Sequence, residues 1–517
     1  MTHACQVTEI PVQEFPGLFY FYSHFPKKYP FFLTTTSQHS SRHQSTNIDL
    51  NTKQTASFDI LFIDPGEWLK LDHNLKLSTS SHVDISPDAS FLDTFDQLFL
   101  AEQKPEYKPE YKQKYQEKSA QSDSLGNFQS GKLPFTGGWF LFLAYELAQQ
   151  IEPCLQLPLQ EQQLPVAFAA RVKSALIYDH LQEKLFFLSE PDLDHLKAYR
   201  ALVSDSQAIQ QANKNQTIAD ELIEILVEEK EQAFLDSVKV VKDYIKEGDV
   251  FQVNLSRLWQ SIINHTNHDE LAASLYQLLS IANPAPFSGV ASFTARQGIA
   301  TVISSSPERL LKIQNNQLES RPIAGTRPRS LSEREDLRLM HELHAHPKEQ
   351  AEHIMLIDLI RNDLGRVCVP GTVVVNELMV NESYAHVHHI VSNVTGQLQQ
   401  QTTPGEVIKA MFPGGTITGC PKVRCMEIIA ELEQKSRGAY TGSMGYINLD
   451  GSMDLNILIR TMVLEQQEKE REQKLTFRAG AGLVFDSIAK KELQETRAKA
   501  KGLLRALLGS EQKESYQ

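Results

Sequence analysis

Positive charge is in short supply in this sequence. Its 517 residues include 51 Lys and Arg against 64 Asp and Glu, a formal net charge of −13. Wrapping nucleic acid takes stripes of Lys and Arg, so that class of partner is excluded. A small anionic ligand is not, because a local cluster of cations can hold one against the overall field. Cysteine is scarce too. The five, Cys5, Cys154, Cys368, Cys420 and Cys425, form no CxxC pair and are odd in number. That excludes a disulfide framework or a structural zinc site and fits a reducing compartment. Long apolar runs are missing: the longest, Trp139 to Tyr145, is far too short to cross a bilayer. The N-terminal Met-Thr-His-Ala-Cys-Gln has neither the basic nor the apolar region of a signal peptide. A cytoplasmic chain that partners neither membrane nor nucleic acid is expected.

What remains is ordinary globular material, 41% hydrophobic and 22% charged. Two stretches are too polar to bury and read as surface insertions, Thr34 to Ser57 and Ala101 to Lys132; the second carries Lys-Pro-Glu-Tyr-Lys-Pro-Glu-Tyr-Lys. A polar segment near Asn213 to Ala219 divides the chain into 1–212, 213–510 and a polar tail, 511–517. Strands are expected at Phe58 to Phe62, Ala167 to Asp179 paired with Lys184 to Leu188, Val250 to Leu258, Phe287 to Phe293, Ala300 to Ser304, Val373 to Leu378, Tyr440 to Asn448, Asp454 to Val463 and Lys474 to Ala479. The periodicity predicts helices over Asp220 to Gly248, Asp336 to Ala345, Gln350 to Asn362, Glu406 to Met411, after Cys420, and over Ser487 to Leu508. Long strands with intervening helices predict an α+β fold with large antiparallel sheets.

Generic catalytic signatures fail. The run Gly414-Gly415-Thr416-Ile417-Thr418-Gly419-Cys420-Pro421-Lys422 is like a phosphate loop, but Lys does not follow the last Gly directly and no Ser or Thr follows Lys. Arg478-Ala479-Gly480-Ala481-Gly482 lacks the third glycine of a dinucleotide fingerprint, and neither HExxH nor GxSxG occurs.

A more specific constellation runs from Ser304 to Lys499. It comprises Ser306-Pro307-Glu308-Arg309, Arg321-Pro322-Ile323-Ala324-Gly325-Thr326-Arg327, Ala351-Glu352-His353 through Arg361-Asn362-Asp363, and His388-His389-Ile390. Pro413 to Lys422, Tyr440-Thr441-Gly442-Ser443, Ile459-Arg460-Thr461, Ala479 to Gly482 and Gln494-Glu495-Thr496 complete it. In this order the motifs, covering Glu228 to Leu508, resemble the chorismate-utilising family: anthranilate synthase component I, aminodeoxychorismate synthase component I, and the isochorismate and salicylate synthases. The resemblance implies two large antiparallel β-sheets packed face to face with helices outside.

Such a substrate carries two carboxylates and a hydroxyl leaving group, so it calls for a divalent cation, fixed donors and a proton donor. The resemblance implies Mg²⁺ on Glu352 and Glu495 with Glu492 nearby. Glu492 and Glu495 are i,i+3 on the last helix, and Lys499 follows four residues later on the same face. It implies Glu308 as general acid/base at the ring hydroxyl, His389 in proton transfer, and Lys499 beside them. Arg460 and Tyr440 would clamp a carboxylate, since Arg offers a planar fork. Gly480 and Gly482 would let main-chain N–H groups approach an anion. Gln252, Gly325, Thr326, Thr418 and Lys422 would line the substrate. Taken alone, Gly-x-Gly after a strand is usually a turn, Glu and Lys at helical spacing a solvated face, and a His before a strand structural, as is expected of His386 and His388.

Gln252 separates the branches. Isochorismate and salicylate synthases resemble Phe251-Gln252-Val253-Asn254-Leu255 but carry a water-activating Lys where Gln252 stands, which argues here for an amine nucleophile. Gln252 to Leu255, Phe412 to Gly419 and the N-terminal half resemble the aminodeoxychorismate branch. Ala324 points the other way: it stands where that branch typically carries a nucleophilic Lys, as in anthranilate synthases. No cysteine lies on a Gly-x-Cys-x-Gly elbow, so ammonia is expected from a separate glutamine amidotransferase partner. The expected reaction is amination of chorismate to 4-amino-4-deoxychorismate, for 4-aminobenzoate and folate synthesis. The alternatives are anthranilate formation and, less favoured, a non-catalytic chorismate-binding protein.

Overall fold

The computed structural model describes residues 5–35, 58–81, 85–86, 89–103, 133–158, 163–212, 226–295, 298–330, 332–345, 347–383, 387–467 and 472–509. Most of both expected polar insertions, the 213–225 segment and the tail lie outside these residues.

Two antiparallel sheets form the body. One runs, from edge to edge, through Gln6–Ile10, Lys184–Ser189, Ser174–Asp179, Phe58–Ile63, Phe31–Thr34, Phe287–Ala295, Gly298–Ser306, Thr461–Gln466, Glu472–Leu483, Gln252–Asn264 and Val227–Glu228. The other runs through Ile323–Pro328, Val387–Gln397, Gln317–Ser320, Arg309–Gln314, Met453–Asn456, Ser443–Asn448, Gly138–Leu143, Ala167–Val172, Trp68–Leu71 and Leu77–Thr79. Each sheet takes strands from both sides of the 213–225 segment. The seams are Ser288 paired with Thr34 in the first and Tyr446 with Phe140 in the second. The boundary near residue 213 thus divides the sequence without dividing either sheet.

The sheets meet face to face over an aromatic layer. Phe31, Phe62, Phe293 and Val463 of the first pack on Phe140, Phe142, Val172 and Met444 of the second, and the rings of Phe31 and Phe140 stack 4.0 Å apart. Strand Gly138–Leu143 is buried on both faces, which explains its unbroken apolar run. Helices Leu18–His24, His268–Ala282 and Ala489–Leu508 cover the outer face of the first sheet. Phe91–Gln103, Pro347–Gly365 and Pro404–Met411 cover that of the second. The α+β class and the paired antiparallel sheets are as expected from the sequence.

Three expected elements differ. The helix expected from Asp220 begins at Glu231, after a short strand, Val227–Glu228, that pairs with Trp259 and Gln260; 220–225 lie outside the described residues. Ala167 to Asp179 is two strands in different sheets, Ala167–Val172 and Ser174–Asp179, and only the latter pairs with Lys184–Ser189. Asp454 to Val463 likewise splits into Met453–Asn456 and Thr461–Gln466, one in each sheet. An apolar run gives no sign of where the chain leaves one sheet for the other.

Candidate active site

The crossings between sheets build the site. One joins Gly298–Ser306 to Arg309–Gln314 and holds Glu308; the other joins Met453–Asn456 to Thr461–Gln466 and holds Arg460. They are laced together: Ile457 N donates to Glu308 O at 3.0 Å, and Ser305 N to Arg460 O at 3.1 Å. Arg460 has φ +52, in the left-handed region that a β-branched or bulky residue rarely enters. There it turns the chain into the first sheet. Its Nη1 donates to Asn283 Oδ1 at 3.4 Å.

Glu308 is buried, at 7% exposure. Burial raises its pKa from 4.5 to about 7, opposed by Thr416, Lys499, the Ile323 main chain and Arg460. His389 is buried in strand Val387–Gln397 between Thr326 and Glu382 of the flanking strands. Burial, then the positive field of Arg460, lowers its pKa to about 4, against a hydrogen bond that the ring donates to the Gly325 main chain. That contact has a local cause. Ala324 pairs with Ile390 and Thr326 with His389, so Gly325 is the extra residue of a bulge. Its φ of +56 suits glycine. Arg460 is therefore the hub, felt by both Glu308 and His389, with Lys499 reaching Glu308 from the last helix.

A second wall is the pair Gln252–Asn264 and Glu472–Leu483, with Asn254 opposite Gly482 and Ser256 opposite Gly480. Gly480 and Gly482 lie inside the strand, not in the turn that the bare pattern suggests. A Cβ on Gly480 would fall 2.7 Å from both Leu255 O and Tyr440 Oη, and one on Gly482 would overlap the Gln252 side-chain nitrogen. The glycines are there because Tyr440 and Gln252 lie against the strand. Gln252 is 6% exposed, and its Oε1 has no hydrogen-bond partner among the described residues.

Other expected residues are committed elsewhere. Lys422 is ion-paired to Asp363 at 2.7 Å, and the buried Thr418 hydroxyl donates to Gly414 O at 3.0 Å. Both brace the loop that precedes helix Lys422–Glu433. Thr418 O also accepts from Asn254 N at 2.9 Å, docking that loop on the strand. His388 hydrogen-bonds Asp336 at 3.0 Å, a structural role; His386 lies outside the described residues.

Of the expected metal ligands, Glu352 is half-buried on helix Pro347–Gly365, Glu492 is buried, and Glu495 is exposed and paired with Lys499 at 2.8 Å. Among the described residues, no group of three or more His, Cys, Asp and Glu is arranged to hold a metal. The three carboxylates therefore do not close into a cage. Their oxygens suit Mg²⁺ in kind but fall short in number, leaving substrate and water to fill the shell.

Three features were missed in the sequence. Asn254 lies beside Gly480; its place two residues after Gln252 on the same strand face could have revealed it. Asn283 contacts Arg460 from a helix C-terminus, with no local signal. Glu433 is buried and accepts from Arg437 at 2.6 Å, Arg478 at 2.8 Å and Ser256 N at 2.8 Å. These contacts hold its carboxyl below the ordinary range despite burial.

Residues 52–505 match the family model described as chorismate binding enzyme. An anthranilate synthase component I-like protein of Synechocystis sp. is 43% identical over 383 residues, 73% of this chain and 74% of the relative. Aminodeoxychorismate synthase component 1 of Bacillus subtilis is 38% identical over 387 residues, 73% of this chain and 78% of the relative. The crystal structure of anthranilate synthase component I from Streptococcus pneumoniae superposes with a TM-score of 0.69 at 28% identity, covering 90% of this chain and 95% of that one. With the family's motifs gathered around Arg460 and both sheets in place, the chain belongs to the chorismate binding enzymes.

Proposed function

We propose that the chain aminates chorismate with ammonia, giving 4-amino-4-deoxychorismate. The observation that carries the amination is Gln252. Where water-activating relatives place a lysine, a neutral amide is buried with an unpartnered oxygen, which would accept a hydrogen bond from ammonia and cannot deprotonate water. In this reading the Arg460 guanidinium and the Tyr440 hydroxyl take a substrate carboxylate, aided by N–H groups near Gly480 and Gly482. Glu308, with a pKa of about 7, holds a proton for the departing ring hydroxyl. His389, with a pKa of about 4, is neutral at that pH, so it adds no charge beside Arg460 and would pass a proton along by giving one up as it takes one. Mg²⁺ held by Glu352 and Glu495 would neutralise a second carboxylate. The ammonia would come from a separate glutamine amidotransferase subunit, as no cysteine here has a glutaminase context.

A specific observation favours anthranilate as the product instead. Ala324 replaces the nucleophilic lysine typical of the aminodeoxychorismate branch, and a relative named anthranilate synthase component 1 is 41% identical over 403 residues. Phe412 to Gly419 supports the first reading. Incubating the purified chain with chorismate, Mg²⁺ and ammonium decides between them. An aminated product keeping its enolpyruvyl group supports 4-amino-4-deoxychorismate; anthranilate with free pyruvate overturns it.

A further inference from the structure

Farther along the inner face of the same strand pair, past Gly480, lies a solvent-open cavity of ≈ 80 Å³. Glu308, His389, Gln252 and Arg460 do not line it. Its cationic walls are Lys435, Arg437, Lys474 and Arg478, and no carboxylate lines it. Leu258 and Val463 give it an apolar side.

Two features make this more than a basic dent. Arg437 and Arg478 both donate from their guanidinium groups to one carboxylate, Glu433. Arg478 is 4% exposed; its Nε donates to Ser256 Oγ at 2.9 Å and its Nη2 to Glu433 at 2.8 Å, but its Nη1 has no partner. A buried guanidinium N–H left unpaired is costly, and an incoming anionic oxygen satisfies it.

We infer that this cavity is a second binding site, distinct from the Arg460 cleft, for a small organic carboxylate bearing an apolar ring. Arg478 Nη1 takes the carboxylate, Lys474 and Lys435 supply the field, and Leu258 and Val463 hold the ring. Tyr440 lines this cavity while its hydroxyl lies against Gly480, so the two sites share one side chain.

Equilibrium dialysis of labelled benzoate against the full chain tests the inference. Benzoate can also enter the Arg460 cleft, so Arg460→Gln isolates the second site. That variant should lose turnover yet still bind one benzoate per chain. Adding Lys474→Glu should weaken the remaining binding at least tenfold, and Lys474→Glu alone should leave kcat and KM for chorismate unchanged. Arg478→Met should weaken it further; if that protein fails to fold, the Lys474 pair still decides. Loss of all benzoate binding in Arg460→Gln, or equal binding with and without Lys474→Glu, overturns the proposal.

Discussion

Glu308 shows function and stability pulling apart at one residue. Its folded pKa, about 7, lies above the ordinary 4.5 because burial disfavours the charged form. Between those values the folded chain binds more protons than the unfolded one, so this group's contribution to stability falls as pH rises through that window. At 1.36 kcal/mol per unit the penalty at pH 8 is about 3 kcal/mol. Glu308→Gln should therefore melt higher than wild type at pH 8, with the gap closing toward pH 4, by calorimetry. The same substitution should lower kcat about 10²–10⁴-fold with ammonium, as loss of a general acid does, while chorismate still binds. His389 works in the opposite direction: its pKa of about 4 makes stability rise with pH between about 4 and 6.5. Unchanged turnover in Glu308→Gln would remove Glu308 from the chemistry. A second residue-scale expectation concerns Gly480. An added methyl meets Leu255 O and Tyr440 Oη at 2.7 Å, and backbone cannot yield as a flexible side chain can. Gly480→Ala should cost about 1–3 kcal/mol and raise KM for chorismate by displacing Tyr440; an unaltered KM would mean that Tyr440 does not touch substrate.

Among the elements, helix Lys422–Glu433 is anchored through its last residue. Glu433 reaches Arg437 in the following loop and Arg478 and Ser256 on the sheet. Replacing it by Gln leaves two buried guanidinium groups without a counter-charge, and breaking a buried pair in this way costs about 3–5 kcal/mol. Denaturant unfolding of Glu433→Gln should show a loss of that size, and a change below about 1 kcal/mol would mean the guanidinium groups find other partners. Element existence was readable from pattern. The 3.6-residue period marked Ala489–Leu508, and the alternation marked Phe287–Ala295. Sheet membership was not. Thr461–Gln466 and Met453–Asn456 read as one continuous strand, yet the residues between them, Ile457 to Arg460, carry the chain from one sheet to the other. Gly480 and Gly482 misled for a related reason: a glycine that makes room for a neighbouring side chain looks, in sequence, like one that makes a turn.

For the molecule as a whole, the seams at Thr34–Ser288 and Phe140–Tyr446 mean that neither half closes a sheet alone. Cutting there exposes unpaired central strands and the aromatic layer. Residues 226–517 expressed alone should be aggregated or lack cooperative unfolding, whereas the full chain should unfold with coincident transitions by circular dichroism and tryptophan fluorescence. A soluble, cooperatively folded fragment would show that the C-terminal half is an independent unit.

The sequence by itself determined the family and the α+β class and proposed the site residues, because motif chemistry is local: a motif either carries Glu308, His389 and Arg460 or it does not. Tertiary structure alone decided which of them act together. Lys422 is ion-paired with Asp363, and Glu495 with Lys499. Glu308 was brought under Arg460 by two chain crossings 150 residues apart in sequence, on the order of magnitude of a whole domain. Burial and electric field depend on what the rest of the chain packs around a group, so no reading of neighbours along the sequence could have put the Glu308 carboxyl near neutrality.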